Sequence, residues 1–139
     1  MGWFNKILVP IDGSKQSFKA LDSAISLSQE SGAELTLFHV IPHIDAGGPR
    51  TKLLDDQVVT QGNDILKKAV TYAKKKNMQV KTKTSRGSPA FATVKFAKSG
   101  NFDHIVMSST GAGSASGEML GSVSNYILHK SKIPVYLVK

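Results

Sequence analysis

Short apolar runs alternate with amphipathic segments along the whole chain. The first run, Lys6 to Asp12, is continuous, which is typical of a strand buried on both faces of a parallel sheet. After it, apolar residues recur near helical spacing at Phe18, Leu21 and Ile25. Four further strands are predicted at residues 34–41, 78–85, 102–109 and 134–138. The order β-α-β-α-β-α-β-α-β predicts an α/β fold with a parallel sheet and helices on both faces.

Capping residues set the expected ends of four helices, at 15–29, 53–76, 89–98 and about 122–130. Ser88 suits an N-cap with Pro89 as the first helical residue, and Gly32, Asn77 and Gly100 are typical stops. The third strand alternates apolar with polar residues, so we expect it to be half-exposed at a sheet edge.

Length and composition favour a globular protein. With 139 residues, of which 40% are hydrophobic, the chain fits one domain spanning 1–139. No apolar run approaches the roughly 18 residues that cross a bilayer, and the N-terminus lacks the pattern of a signal peptide. The absence of cysteine excludes disulfides and thiolate metal sites. We therefore expect a cytoplasmic protein.

The net charge of +8 is unevenly distributed. Residues 65–102 contain no acidic side chain, yet hold ten basic ones: Lys67, Lys68, Lys74, Lys75, Lys76, Lys81, Lys83, Arg86, Lys95 and Lys98. Such a segment can form a surface for nucleic acid or another polyanion, or it can be a solvated helix face. Because lysine dominates and no aromatic residues are interleaved for stacking, nucleic acid is the less favoured partner.

A glycine- and serine-rich stretch, Ser108 to Asn125, lies between the fourth strand and the fourth helix. Glycines allow the backbone to approach a ligand closely, and serines and free N–H groups supply donors for phosphate. In parallel sheets, ligands bind beyond the carboxyl ends of the strands. We therefore expect Pro10 to Asp12 and Ser108 to Ser122 to form two walls of one crevice.

Several other functions are excluded by their motifs. No Gly-Lys dipeptide exists, which excludes a P-loop, and no G-x-S-x-G elbow is present. Gly111 and Gly113 begin a G-x-G-x-x-G pattern, but Ser116 occupies its third glycine position. His39, His43, His104 and His129 lack metal-ligand spacing, and His39 is expected to be a packed histidine.

Four segments in order resemble the universal stress proteins over essentially the full length of the chain. They are Ile7 to Ser14, His39-Val40, Gly87 to Pro89, and Ile105 to Val138 with its Gly121-Ser122-Val123-Ser124 element. The resemblance implies a three-layer, Rossmann-like fold of the adenine nucleotide alpha hydrolase-like type. Its five-stranded parallel sheet is expected in the order 3-2-1-4-5.

ATP-binding members of that family carry G-x2-G-x9-G-[ST], and this chain departs from the motif at one position. Gly111, Gly121 and Ser122 match, whereas Ser108 replaces the first glycine. If the backbone there needs a positive φ, serine costs about 1 kcal/mol. If glycine only makes room, the serine hydroxyl crowds a phosphate or donates a hydrogen bond to it.

The resemblance implies that the chain binds ATP or AMP. Gly111 and the following amides would surround the phosphates, and the N-terminus of the fourth helix would bind them. Asp12 would face the ribose or the phosphates and would contact them either directly or through a bound Mg²⁺. The alternative role of Asp12 is to form a turn. The implied nucleotide-binding residues are Pro10, Ile11, Asp12, Val40, Met107, Ser108, Gly111, Gly113, Gly121, Ser122, Val123 and Ser124.

The residues assigned to the adenine pocket can also have a purely structural role. Pro10, Ile11 and the backbone of Val40 would line that pocket, or simply pack in the core and at strand ends. No catalytic base is visible beside the glycine-rich stretch, because Asp12 and Glu118 lack an orienting partner in sequence. We therefore expect the bound nucleotide to act as a regulatory ligand of the protein and to be hydrolysed slowly at most.

The last strand, Val135 to Val138, is apolar and expected at a sheet edge, where strands tend to pair with another chain. The resemblance implies a homodimer through this strand; the alternative is an edge covered by a helix. Three hypotheses follow: a nucleotide-binding regulatory module of the stress response, an interaction protein without nucleotide that uses its lysine-rich face, and a weak ATPase.

Overall fold

The computed structural model describes residues 4–44, 49–110 and 120–139. Strands and helices alternate along it as the sequence predicts. The elements are β1 (Lys6–Pro10), α1 (Lys15–Ser31), β2 (Glu34–Ile41), α2 (Pro49–Lys75), β3 (Lys81–Arg86), α3 (Pro89–Ser99), β4 (His104–Ser108), α4 (Ser122–Lys130) and β5 (Val135–Val138).

The strands form one parallel sheet in the order β3-β2-β1-β4-β5, which confirms the predicted fold class and strand order. Strand β1 lies at the centre, so Ile7, Leu8 and Val9 are completely buried. Strands β3 and β5 form the two edges, as predicted. The central position of β1 explains its continuous apolar run, because both of its faces are covered.

Successive residues of each strand point to opposite faces of the sheet, and two cores result. On one face, Val9 and Leu37 pack with Leu21 of α1 and Ala69 of α2. On the other face, the buried side chains come from β1, β2, β4, α3 and α4, and include Leu8, Phe38, Ala97, Ile105 and Ile127. Helices α1 and α2 thus cover one face, and α3 and α4 cover the other.

Several element ends differ from the sequence prediction. Strand β3 begins at Lys81 rather than Met78, since Met78 and Val80 pack against the core before pairing with β2 begins. Helix α2 begins four residues earlier than predicted, at Pro49. Helix α1 continues to Ser31 and ends at Gly32, whose φ of 79° is in the left-handed region that glycine favours.

The end of the sheet where β1 and β4 begin is held together by Asp103. Its Oδ2 accepts hydrogen bonds from the backbone nitrogens of Asn5, at 2.9 Å, and Lys6, at 2.7 Å. Its Oδ1 lies 2.8 Å from Nδ1 of His104, and the ring of Phe4 stacks on that imidazole with centroids 4.0 Å apart. One carboxylate therefore connects the start of β1 to the start of β4.

The basic residues of the acid-free segment are divided between the two sides of the sheet. Helix α2 carries Lys67, Lys68, Lys74 and Lys75, whereas α3 on the opposite face carries Lys95 and Lys98. Three other cations pair with acids from outside the segment: Lys76 with Asp22, Lys81 with Glu34, and Arg86 with Asp55. The segment is therefore not a single lysine-rich face. No helix in the described residues is long and apolar enough to span a membrane.

Asp22 gives the surface a pH-dependent contact between α1 and α2. Lys76 and, to a smaller extent, Tyr72 hydrogen-bond its carboxylate, and both lower the pKa of Asp22 below its ordinary value near 3.8. A depressed pKa means that the contact stabilises the fold above the unfolded-state pKa, and that this stability is lost as the pH falls through the folded-state pKa.

We expect Asp22→Asn to lower the melting temperature slightly at pH 7, because exposed ion pairs contribute little. The difference from the wild type should close as the pH falls through the lowered pKa of Asp22 in the folded state, because the wild-type carboxylate is then protonated too. Thermal melts of both proteins between neutral and acidic pH measure this. A difference that stays constant down to the lowest pH would show that the ion pair does not cause it.

Candidate functional site

A cavity of about 520 Å³ lies at the carboxyl ends of the central strands. It is bounded by the ends of β1, β2 and β4 and by the first turns of α3 and α4. The described residues that line it are Pro10, Ile11, Asp12, Ser17, Phe38, His39, Val40, Pro89, Thr93, Met107, Ser108, Thr110, Gly121, Ser122, Val123, Ser124 and Ile127. This is the crevice expected from the topology.

The structure brings most of the sequence-predicted site residues together in this cavity. Ten of them line it: Pro10, Ile11, Asp12, Val40, Met107, Ser108, Gly121, Ser122, Val123 and Ser124. Gly111 and Gly113, the other two predicted residues, lie outside the described residues, as does Glu118. The end of β1 and the start of α4, about 110 residues apart in sequence, thus line the same cavity.

Asp12 forms the turn between β1 and α1. Its Oδ1 accepts hydrogen bonds from the backbone nitrogen of Ser14, at 2.9 Å, and from the Ser14 hydroxyl, at 2.5 Å. Ser14 in turn caps α1 by accepting a hydrogen bond from the nitrogen of Ser17 at 3.1 Å. The turn-forming role of Asp12 is therefore present, and its exposed side chain also lines the cavity.

Two hydrogen bonds fix the start of α4 against the end of β4. The backbone nitrogen of Gly121 donates to the carbonyl of Ser109 at 2.8 Å, and the buried Ser124 hydroxyl donates to the carbonyl of Ser108 at 2.8 Å. Gly121 is the N-cap, so Ser122 is the first helical residue and its side chain is exposed. We call this arrangement the β4–α4 junction.

The β4–α4 junction places a helix N-terminus at the cavity wall. The N–H groups of Ser122, Val123 and Ser124 belong to the first turn, where an α-helix offers them no carbonyl partner. They carry the positive end of the helix dipole, which favours anions. Ser124 holds the helix through its hydroxyl, so its contribution to a ligand would come from its backbone.

Ser108 adopts an ordinary backbone conformation. Among the described non-glycine residues, a positive φ occurs at Asn77 and Asn101 only. The strain considered for serine at this motif position therefore does not arise. The Ser108 hydroxyl donates instead to the carbonyl of Thr110, directly before the undescribed part of the glycine-rich stretch.

Part of the cavity lining is apolar. Phe38 and Val40 come from β2, Ile11 directly follows β1, and Met107 and Ile127 come from β4 and α4. All five are buried core residues, so the packing role considered for Ile11 and Val40 is real, and all five also line the cavity. An apolar wall beside a helix N-terminus suits a ligand with a flat apolar part and an anionic part.

Sequence reasoning missed the wall formed by α3. Pro89 and Thr93 line the cavity, and the Thr93 hydroxyl donates to the Pro89 carbonyl at 2.7 Å. The segment Gly87 to Pro89 was singled out, but only as a turn and a family feature. Its approach to the cavity depends on how α3 packs across the sheet, which spacing does not encode. His39, Ser17 and Thr110 were missed as lining residues for the same reason.

Asp12 is the only carboxylate among the described residues that line the cavity. In the described part of the chain, no three His, Cys, Asp or Glu side chains cluster in a way that could hold a metal ion. A metal at this site would therefore need ligand oxygens as well as Asp12.

Comparison with known proteins identifies the family. The model of the universal stress protein family matches residues 4–139. The chain belongs to this family. The universal stress protein YxiE of Bacillus subtilis is 34% identical over 154 residues, covering 98% of this chain and 99% of that relative. The universal stress protein MJ0531 of Methanocaldococcus jannaschii is 30% identical, covering 98% of this chain and 82% of that relative.

Solved universal stress proteins share the fold. UspA from Lactobacillus plantarum has a TM-score of 0.88 at 23% identity, with both chains covered completely. A universal stress protein from Archaeoglobus fulgidus in complex with dAMP has a TM-score of 0.75 at 22% identity and full coverage of both chains. Another, in complex with cAMP, has a TM-score of 0.73 at 23% identity over 99% of each chain.

Proposed function

We propose that this universal stress protein binds an adenine nucleotide in the cavity at the β4–α4 junction and acts as a regulatory module of the stress response. The observation that carries the proposal is the N-terminus of α4, held by Ser124 and Gly121 beside an apolar wall. The first-turn N–H groups suit a phosphate, and the apolar wall suits a base.

The size of the cavity supports this proposal. Its volume of about 520 Å³ is within the range of roughly 300–1,000 Å³ that is usual for small-molecule sites. In the proposed pose, the phosphates contact Ser122 and Val123, while the base lies near Ile11 and Val40. Gly111 and Gly113 would complete the phosphate side.

Two relatives of the same fold support the ligand class. The neighbours solved with dAMP and with cAMP carry adenine monophosphates, which share the base and one phosphate with ATP and AMP. We therefore propose ATP or AMP as the ligand of this chain.

A single carboxylate such as Asp12 suits a metal ion that the protein and the nucleotide bind together better than a metal ion bound by the protein alone. Mg²⁺ is usually bound by one or two carboxylates together with substrate phosphates and water. Asp12 supplies one carboxylate at the cavity, with Oδ1 already accepting hydrogen bonds from Ser14. Mg²⁺, when bound with a polyphosphate, would neutralise part of its charge.

We propose that the nucleotide is a regulatory ligand and that any hydrolysis is slow. Phosphoryl transfer needs a positioned nucleophile and groups that stabilise charge in the transition state. Among the described cavity residues, Asp12 is the only carboxylate, and it already forms the β1–α1 turn. Turnover that disappears in Asp12→Ala would instead support the weak ATPase.

We also propose a homodimer through the free edge of β5. Strand β5 pairs with β4 along one side only in the described sheet, and Tyr136 is 46% exposed. An apolar edge strand of this kind invites pairing with a second copy.

Native mass spectrometry of the freshly purified protein, followed by calorimetric titration with ATP and Mg²⁺, tests both proposals. We expect a dimer that carries adenine nucleotide or that binds ATP with micromolar affinity. An apo protein that gives no heat up to millimolar ATP would overturn the nucleotide proposal. Salt-sensitive binding of nucleic acid by that same apo protein would favour the rival interaction protein.

A further inference from the structure

His39 is a buried histidine at the back of the cavity, and its Nδ1 lies 2.8 Å from the carbonyl oxygen of Ile11. A carbonyl only accepts, so Nδ1 carries the hydrogen and donates it. The backbone pairing of β1 with β2 ends at Pro10 and Phe38, and Ile11 adds one more bond from its nitrogen to the carbonyl of Phe38, at 2.8 Å. The hydrogen bond from the His39 side chain thus connects β2 to the residue that follows β1, beyond the last backbone pair of the two strands.

The other edge of the His39 ring contacts helix α2 at a glycine. A Cβ placed on Gly62 would lie 2.8 Å from Cδ2 of His39, closer than real Cβ atoms approach, and would also lie 3.0 Å from Nε2 of His39 and 3.3 Å from Cγ1 of Ile41. Glycine inside a helix is destabilising relative to alanine, so its presence here needs a reason. The space for the imidazole provides one.

A second contact joins α2 to the same turn. Gly13 has a φ of 88°, and a Cβ on it would lie 3.0 Å from Cδ1 of Ile65. Gly62 and Ile65 are three residues apart, on the same side of α2. Helix α2 therefore packs against both His39 and the Asp12–Gly13 turn.

We propose that His39 is a positioning residue, with Gly62 leaving room for its ring, and that the pair fixes the segment Ile11 to Ser14 at the nucleotide site. The proposal rests on the function proposed above. By holding the Ile11 carbonyl, His39 sets the direction in which the chain leaves β1, and hence where the Asp12 carboxylate stands relative to the cavity. The contact is made from β2 and α2, behind the ligand.

Two substitutions of His39 separate the hydrogen bond from simple packing. His39→Asn keeps a donor near the position of Nδ1, whereas His39→Leu keeps apolar bulk and removes the donor. In the protein without nucleotide, we expect His39→Leu to speed amide hydrogen exchange at Asp12, Gly13 and Ser14, with the wild-type rates restored by His39→Asn. AMP affinity measured by calorimetry should fall about tenfold in His39→Leu and recover in His39→Asn.

Gly62→Ala tests the role of the glycine independently. Alone, it should displace the ring, lower the melting temperature and speed exchange at the same three amides. In the His39→Ala background both ring atoms that meet the new methyl group are gone, and the nearest remaining atom is Cγ1 of Ile41 at 3.3 Å, so Gly62→Ala should raise the melting temperature through its better helix propensity. That reversal of sign is specific to the pair.

The outcomes distinguish failure of this inference from failure of the proposed function. If the wild type does not bind AMP but His39→Leu still speeds exchange at Asp12 to Ser14 and His39→Asn restores it, the positioning role holds and the nucleotide proposal fails. If a folded His39→Leu protein shows wild-type exchange and AMP affinity, the positioning role is overturned. The same follows if Gly62→Ala has an equal effect with and without His39.

Discussion

Ser122→Asp is expected to weaken nucleotide binding strongly while leaving the fold as stable as the wild type or slightly more stable. Ser122 is the first residue of α4, its side chain is exposed, and it lines the cavity. A carboxylate in the first turn of a helix is favourable by about 0.3–1 kcal/mol, because it complements the helix dipole. The same carboxylate would occupy the position proposed for a phosphate.

The expected loss of affinity is large because two negative charges would be brought close together. Unit charges about 4 Å apart repel each other by about 4 kcal/mol at the effective dielectric typical near a protein surface. We therefore expect AMP and ATP to bind at least about 100-fold more weakly. Calorimetric titration measures the affinity, and thermal unfolding without nucleotide measures the stability.

Ser122→Asn is the matched control, since it has nearly the shape of aspartate without the charge. It should keep most of the affinity and lack the gain in stability from the dipole. Undiminished ATP binding by a folded Ser122→Asp protein would place the phosphates away from α4 and contradict the proposed pose.

Asp103→Ala is expected to lower the free energy of unfolding by about 3 kcal/mol, the largest loss of stability among the predicted substitutions. The substitution leaves the backbone nitrogens of Asn5 and Lys6 without this acceptor, and it removes the partner of the buried His104. Each buried polar group left without a partner costs about 1–3 kcal/mol, and water at the exposed end of β1 recovers part of this. Urea denaturation at neutral pH measures the change.

Asp64→Ala is the control for charge alone. Asp64 is exposed on α2, so its loss changes the net charge equally but should alter stability by less than about 0.5 kcal/mol. Equal effects of the two substitutions would show that Asp103 does not hold β1 and β4 together. The proposed nucleotide site lies at the opposite end of the sheet, so Asp103→Ala should leave nucleotide affinity unchanged while the protein is folded.

Much of the fold could be predicted from the sequence because local signals agree with it. The buried run of β1, the glycine stop after α1 and the Ser88-Pro89 start of α3 each fix one element, and parallel topology then directs the strand ends to one crevice. The start of β3 was misplaced by three residues, because Met78 and Val80 alternate like a strand while packing outside the ladder.

The site was predicted less completely than the fold, for a physical reason. Motif residues such as Gly121 and Ser122 can be recognised along the chain, but contacts between distant residues cannot. The bond from Ser124 to Ser108, the approach of Thr93 to the cavity, and the fit of Gly62 to His39 all depend on packing. Packing also decides where the lysines lie. Because α2 and α3 lie on opposite sides of the sheet, the lysines of the acid-free segment do not form a single surface.

Titration of the ¹⁵N-labelled protein with AMP, followed by two-dimensional NMR, tests the proposed site most directly. We predict that the amides of Ser122, Val123, Ser124 and Val40 shift most and that the shifts saturate with micromolar affinity. Amides that stay unmoved up to millimolar AMP, or shifts confined to the lysines of α2, would contradict nucleotide binding at the β4–α4 junction.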